Sequence, residues 1–366
     1  RLAAEDLPYT IDQPGSYYLA EDMLFTEESG NAISITSSNV TLDLMGFALR
    51  SAPEVTEDGI VVASGLKNIT IRNGHIAGNT EVTVVAGTWT ANEAGFRYGI
   101  YFNGVSSVAA QSVGLERLKV SGGRSGGIRL RGHAVIESCV AFSNGGTGIE
   151  ASFSGSTVNN SIARRNAGTG IYANKGMVSG SAARENEGTG IEAGGGSVSK
   201  SIAKDNGGRG IFASSGNVSH SIASDNVDEG ISARNGSVSH SIVVNNGGVG
   251  IFARNGIVSN STARSNGLTG IKAEGGSVSL SIARSNGEHG IWVSSGNVSH
   301  STVQFNGGAG IKVGYEIGSD VSPDDFFDSY RGVVSYCVAL DNNIDINVDN
   351  GLATLTGNST GDGTGE

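Results

Sequence analysis

The sequence predicts an all-β chain folded as a single right-handed parallel β-helix. Three observations predict it: an unbroken 20-residue period, 58 glycines among 366 residues, and few helix formers within the repeat. Glycine at about 16% is more than twice its ordinary share. Only 4 prolines accompany it, so the chain is neither collagen-like nor a Pro/Gly-rich disordered tract. The period is plain by eye: VSKSIAKDNGGRGIFASSGN is followed by VSHSIASDNVDEGISARNGS and then VSHSIVVNNGGVGIFARNGI. Valine leads each unit from Val158 to Val298. Serine is fourth, from Ser161 to Ser301, and asparagine ninth, from Asn166 to Asn306. Gly-Ile holds the thirteenth and fourteenth positions, from Gly170-Ile171 to Gly310-Ile311.

Taken in order, residues 1–58 are irregular and read as an N-terminal cap with a first irregular coil, because an open solenoid end is a sticky edge. Residues 59–351 read as the β-helix, with looser coils marked by Gly59-Ile60, Gly99-Ile100, Gly127-Ile128 and Gly148-Ile149. Two insertions interrupt it, 79–98 (with TWTANEAGF) and 314–332 (with DVSPDDFFDSY). Within each regular unit the runs S-V-S, S-I-A and x-G-I-x-A suit strands, and the Gly, Asn and Ser between them suit tight corners. Helical repeats are longer and richer in leucine and charge. Three short strands make one coil, and coils stack at about 4.8 Å, so 12–13 coils give a rod of roughly 60 Å. Parallel crossovers are overwhelmingly right-handed. Residues 352–366, rich in Gly, Thr, Ser and Asp, read as a flexible tail.

Strand alternation assigns the faces. The leading valine, the sixth-position alanine and the fourteenth-position isoleucine point inward. The fourth-position serine and ninth-position asparagine are polar yet unvarying, which fits buried corners where each bonds to backbone and to its copy in the next coil. Cys139 and Cys337 fall in the serine slot about ten coils apart, beyond disulfide reach, and read as free and buried.

The N-x-x-x-G-I and G-I-x-A pattern resembles the repeat of the pectate-lyase-like superfamily of right-handed β-helices. The opening LPYTIDQPGSYYLAEDM with NVTLDLMGFAL resembles the first coil of its secreted bacterial members. The resemblance spans nearly the whole chain. It implies the fold, a secreted or cell-surface location and a polysaccharide partner. It does not select an activity, since one fold hosts many chemistries. None of the catalytic signatures that separate the characterised families is present.

Composition excludes other classes. Formal charge is 24 − 35 = −11 with no basic block, so no nucleic-acid footprint is present. No apolar run reaches the 18 or more residues of a membrane span, and no signal peptide precedes Arg1, as in a trimmed secreted product.

The outward positions carry the candidate chemistry. The fifteenth reads Tyr172, Glu192, Phe212, Ser232, Phe252, Lys272, Trp292, Lys312. Aromatics recur every second coil, roughly 9.6 Å apart, close to the disaccharide repeat of an extended β-linked polysaccharide. Exposed rings suit stacking on sugars, although strands favour aromatics anyway. Tyr172, Phe212, Phe252, Trp292 and Lys272 are therefore the substrate-binding candidates. The catalytic candidates are Asp205, Arg209, Asp225, Asp228 and Glu229. Asp205 and Asp225 share a slot in adjacent coils, and Arg209 lies one coil below Glu229. Paired carboxylates push one pKa up, which lets an acid and a base coexist. With water they could instead hold calcium; a solvated turn with incidental charge is the plain alternative. No other metal-ligand set is expected. Third-position His220, His240 and His300 read first as surface filler and second as ligands or bases. Arg164, Arg184, Lys204, Arg264 and Arg284 form a basic column that either grips an anionic glycan or keeps the solenoid soluble. Outward Ile162, Ile202, Ile222, Ile242 and Ile282 form an apolar stripe suited to a lateral oligomer face.

Two functions follow. One is a secreted polysaccharide-recognising β-helix, an enzyme if it works as a lyase or hydrolase on an acidic polysaccharide. The other is a non-catalytic surface or adhesion solenoid, favoured by eight consecutive units without a long loop to wall a cleft.

Overall fold

The computed structural model describes residues 1–102, 104, 112–314, 332–348, 353–356 and 358–360. Among them the one helical element is a 3-10 turn, Ala4–Asp6. The chain divides into two units, Arg1–Gly208 and Arg209–Glu366, each built of stacked three-strand coils.

A coil of the first unit comprises Met177–Ser179, Ala182–Arg184 and Ile191–Glu192. One of the second comprises Val238–Ser239, Ile242–Val244 and Ile251–Phe252. Coils pair in parallel, like on like. In the first unit Val178 faces Val198, Ala183 faces Ala203 and Ile171 faces Ile191. In the second Val238 faces Val258, Val243 faces Ala263 and Ile251 faces Ile271. These side chains are fully buried. Each coil thus withdraws one valine and one isoleucine from water, at about 1.5–3 kcal/mol apiece.

The corners explain the polar constants. The third and eighth residues of each coil take left-handed backbone, as at His240 (φ 49°) and Asn245 (φ 56°). Just beyond each corner lies a buried ladder. The backbone N–H of Ser241 donates to Ser261 Oγ at 3.3 Å, and Ser241 Oγ donates to Ser239 O at 2.9 Å. Asn246 sends both its backbone N–H and its Nδ2 to Asn266 Oδ1, at 3.1 and 3.0 Å. Cys139 occupies a serine slot as expected: its N–H donates to Ser161 Oγ at 3.1 Å, and both cysteines are free and buried.

Both ends differ from the sequence reading. Residues 1–58 hold more than a cap and one irregular coil, because Tyr9–Ile11 and Ile33–Ile35 already pair in the Gly-Ile sheet ahead of Ile60–Val62. Alternation drives this, with Ile11, Ile33 and Ile35 buried. Among the described residues eight such strands lie in the first unit, from Tyr9–Ile11 to Ile191–Glu192, and seven in the second, from Ile211–Phe212 to Ile344–Val348, more than the 12–13 coils expected. Ala353–Thr356 and Ser359–Thr360 are also strands, paired on the preceding coil, where a flexible tail is expected. The β-branched T-L-T run favours that outcome. The insertion at 79–98 forms an antiparallel hairpin, Val82–Val85 with Thr88–Ala91. Ala86 and Gly87 at its tip both have positive φ, the turn whose twist matches the strands. Most of 314–332 lies outside the described residues.

Candidate functional site

The fifteenth-position row exists as an in-register column on the outer side of the Gly-Ile strands. In the second unit Phe212 pairs with Ser232, Ser232 with Phe252, Phe252 with Lys272, Lys272 with Trp292 and Trp292 with Lys312. In the first unit Tyr172 stands beside Glu192. The rings are half-buried rather than open. Ser232 is fully buried between two phenylalanine rungs, and Lys312 is only 9% exposed.

Long cationic chains lean along the column and cover ring faces. Lys272 Nζ lies 4.0 Å from the Trp292 ring centre and 5.7 Å from that of Phe252, and Lys312 Nζ lies 5.5 Å from Trp292. Arg209 and Arg234 lie over Phe212 at 5.0 and 5.7 Å. Lys272 also pairs with Glu274 Oε1 at 3.1 Å. Trp292 Nε1 donates to the carbonyl of Gly314 at 2.8 Å, which fixes the indole. The column is therefore a strip of cation–π pairs presenting ring edges and ammonium groups, not a row of bare stacking faces. Burial, then Glu192 and Glu150, pushes the Tyr172 phenol above its usual range.

Of the carboxylate candidates, the structure joins one pair. Arg209 Nε meets Glu229 Oε2 at 2.8 Å, both partly exposed, beside Phe212. Asp225 Oδ1 accepts from Asn245 Nδ2 at 3.3 Å, and in the first unit Asp205 faces Lys204 at 3.6 Å. Asp205 and Asp225 both occupy the left-handed eighth slot, with φ of 54° and 56°. Arg165, Glu185 and Ser265 hold the same backbone there. Asp and Asn tolerate that region well, which accounts for the two aspartates structurally. Asp228 lies exposed in the following turn. Among the described residues no three Asp, Glu, His or Cys side chains are placed to hold a metal ion.

The remaining columns are surface features. His220 and His240 stack at 4.8 Å and 2°, and His300 stacks on Tyr336 at 5.2 Å. Ile222, Ile242 and Ile282 are more than a third exposed, so the stripe faces outward as expected.

Sequence reasoning missed further outward residues on the Gly-Ile strands of the first unit. Tyr101 pairs with Arg129, Arg129 with Glu150 and Glu150 with Tyr172. Asp58 is buried and held by Arg97 through two bonds, at 3.1 and 2.7 Å, and by the Tyr98 N–H at 3.0 Å. That pairing holds the Arg97 guanidinium above its usual pKa. Arg97 covers Tyr98 and Tyr101, which stack at 5.5 Å, while Arg129 bonds to Tyr98 Oη and meets Glu150 at 3.1 Å. Stepping one residue beyond each early Gly-Ile pair would have found Tyr101, Arg129 and Glu150.

No curated protein matches the sequence. Among solved structures the chain is similar to the A-module of a mannuronan C-5 epimerase of Azotobacter vinelandii, at 15% identity over 95% of this chain and 91% of that one, TM-score 0.49. It is similar to a periplasmic alginate epimerase at 13% identity over 92% and 78%, TM-score 0.48. It is also similar to the Dettilon tailspike protein, at 12% identity over 91% and 62%, TM-score 0.46. Residues 98–246 match the family model described as the right handed beta helix region, and the parallel coils seen here are those of a right-handed β-helix.

Proposed function

We propose that this protein recognises a polysaccharide, and that an acidic glycan lies along the outer face of the Gly-Ile strands. One observation carries the reading: the in-register column Phe212, Ser232, Phe252, Lys272, Trp292, Lys312, with lysines seated against the rings. Rings recur about every 9.6 Å. The Lys272 ammonium, shared with Glu274, supplies a partner for a carboxylate, and the rings supply an apolar edge for a pyranose. Lys272 and Trp292 are the principal contacts, with Phe212 and Phe252 extending the surface of the second unit, and Tyr172 offers a ring of the same kind in the first. Recognition without catalysis fits best, since Glu229 is engaged by Arg209. Catalysis at Arg209 and Glu229, which abut the column at Phe212, is the second reading. A secreted or surface location belongs to the same proposal; among the described residues no helix is long and apolar enough to cross a membrane.

The test is gel retardation in uronate, sulfated and neutral polysaccharides, with ultraviolet absorbance and reducing ends followed in parallel. Trp292→Ala should weaken retardation in an acidic glycan about tenfold, by loss of ring contact. It should lower stability by about 1 kcal/mol, since the indole N–H bond is lost. Unchanged retardation by a folded Trp292→Ala protein would overturn the column as the binding surface. Unsaturated product or new reducing ends would establish the catalytic reading instead.

A further inference from the structure

Away from the Gly-Ile face, the first unit carries a shallow depression lined by Asp22, Arg50, Asn73, His75, Arg117 and Lys119. Parallel pairing builds it. Ala48, His75 and Lys119 follow one another in register, and each neighbours an inward residue, Leu49, Ile76 or Val120. Asn73 and Arg117 stand at the adjoining left-handed corner, with φ of 57° and 50°. Ala48, Gly46 and Gly74 contribute almost no side chain, so the floor is low and the walls are long and charged.

The walls are cationic on a chain whose formal charge is −11. Three cations face one carboxylate, 3 − 1 = +2 with His75 neutral. That carboxylate is only loosely engaged. Asp22 lies 3.9 Å from Arg50, both more than half exposed, while its Oδ1 accepts the Ala48 N–H at 2.9 Å. Arg117 is aimed by Asn73, whose Oδ1 accepts its Nε at 2.8 Å, and it meets Glu116 Oε2 at 3.5 Å. Lys119 forms no ion pair among the described residues. His75 is held by Ser121 Oγ at 2.9 Å and by stacking on Phe142 at 6.0 Å, a ring that also carries Arg164. Burial first, then Arg50 and Lys119, hold the His75 imidazole below its usual pKa, against the pull of Asp22.

We propose that this depression binds a doubly charged oxyanion, a sulfate or phosphate, between Arg50, Arg117, Lys119 and His75. Cations that outnumber the lining carboxylate around a low floor are what such a group requires, and guanidinium and ammonium donors to an oxyanion are among the stronger hydrogen bonds. The site lies in the first unit, on strands other than its Gly-Ile strands, and does not depend on the glycan column. Binding is linked to one proton: an anion beside the ring favours imidazolium, so it raises the His75 pKa. By reciprocity affinity tightens as pH falls through the titration of the ring and levels off below it.

The experiment follows histidine-ring proton resonances of the full chain during titration with sodium sulfate, at ionic strength held constant with chloride. The His75 signal is identified by its loss in His75→Gln. Sulfate should shift that signal and raise its titration midpoint, and the dissociation constant should rise about tenfold in Lys119→Gln and again in Arg50→Gln. Both side chains are exposed enough for the variants to fold, which an unchanged melting curve checks. Glucose 6-sulfate separates the sources: an equal response means an esterified group is accommodated, and a response to the inorganic ion alone means a free anion is the ligand. No shift of His75, the same shift with chloride alone, or an affinity in both variants unchanged from that of the unsubstituted protein would overturn the site.

Discussion

Replacing Asn246 with leucine tests the polar ladder with little change in volume. Asn246 Oδ1 accepts the backbone N–H of Asn226 at 3.1 Å and its Nδ2 at 2.9 Å. Its own Nδ2 donates to the carbonyls of Ala223 and Val244, both at 3.1 Å, and to Asn266 Oδ1 at 3.0 Å. Leucine removes every one of these bonds. The carbonyls retain a second lone pair, but the Asn226 N–H and amide lose an acceptor in a site closed to water. With five ladder bonds lost at about 0.5–1.5 kcal/mol each, partly offset by the apolar side chain, the loss is on the order of 2–5 kcal/mol. Thermal melting by circular dichroism should show a midpoint lowered by about 5–15 °C. Asn255→Leu is the control, because Asn255 bonds to Asn235 at the exposed corner and should cost under about 0.5 kcal/mol. Asn246→Asp separates accepting from donating: the carboxylate replaces the Oδ1 bonds but cannot supply the three donated ones. Equal melting of Asn246→Leu and Asn255→Leu would refute the claim that the buried ladder holds coils together.

Two further outcomes follow from the same packing. A methyl added at Gly196 would fall 1.7 Å from the Gly176 carbonyl oxygen, whereas one at Gly114 would meet nothing nearer than 3.7 Å. Gly196→Ala should therefore cost on the order of 3 kcal/mol in denaturant unfolding, and Gly114→Ala should not destabilise; equal midpoints would refute the close approach. Burial pushes the Cys139 thiol up to about 11. At pH 8 it should resist a disulfide reagent until the chain unfolds, and its contribution to stability should be complete below about pH 9 and vanish as pH rises through about 11. Rapid labelling of Cys139 in the native protein would overturn the buried placement.

The repeat made the coil legible because the same few slots recur with one chemistry each. Val178, Ser181, Asn186 and Ile191 could be placed inside from period and alternation alone, and they are inside. The second-unit column was legible as a register for the same reason. Its half-buried character was not, because it depends on Lys272 and Lys312 folding over neighbouring rings, a choice of rotamer rather than of position. The early coils vary in length, so Tyr101, Arg129 and Glu150 never aligned by eye with Tyr172. The depression around His75 was hidden more deeply: Asp22, Arg50 and Lys119 meet through the pairing of three unequal coils and share no motif. Asp205 and Asp225 stand at a corner of left-handed backbone, which aspartate tolerates, so their shared slot has a structural account beside the chemical one.

The serine and asparagine ladders also make length a quantised property of the second unit. Along the regular coils the rung-to-rung bonds join like to like twenty places on, as Asn226 to Asn246 and Asn246 to Asn266. Excising one whole period, 238–257, would bring Asn266 beneath Asn226 and Val258 against Val218 with each donor meeting an equivalent acceptor. Losing a single residue within that span would instead turn a valine outward and break the ladder at once. Duplication and deletion by whole coils are therefore mutations the interior can absorb, and the reach of the outer column is adjustable in steps of about 4.8 Å without any redesign of the core.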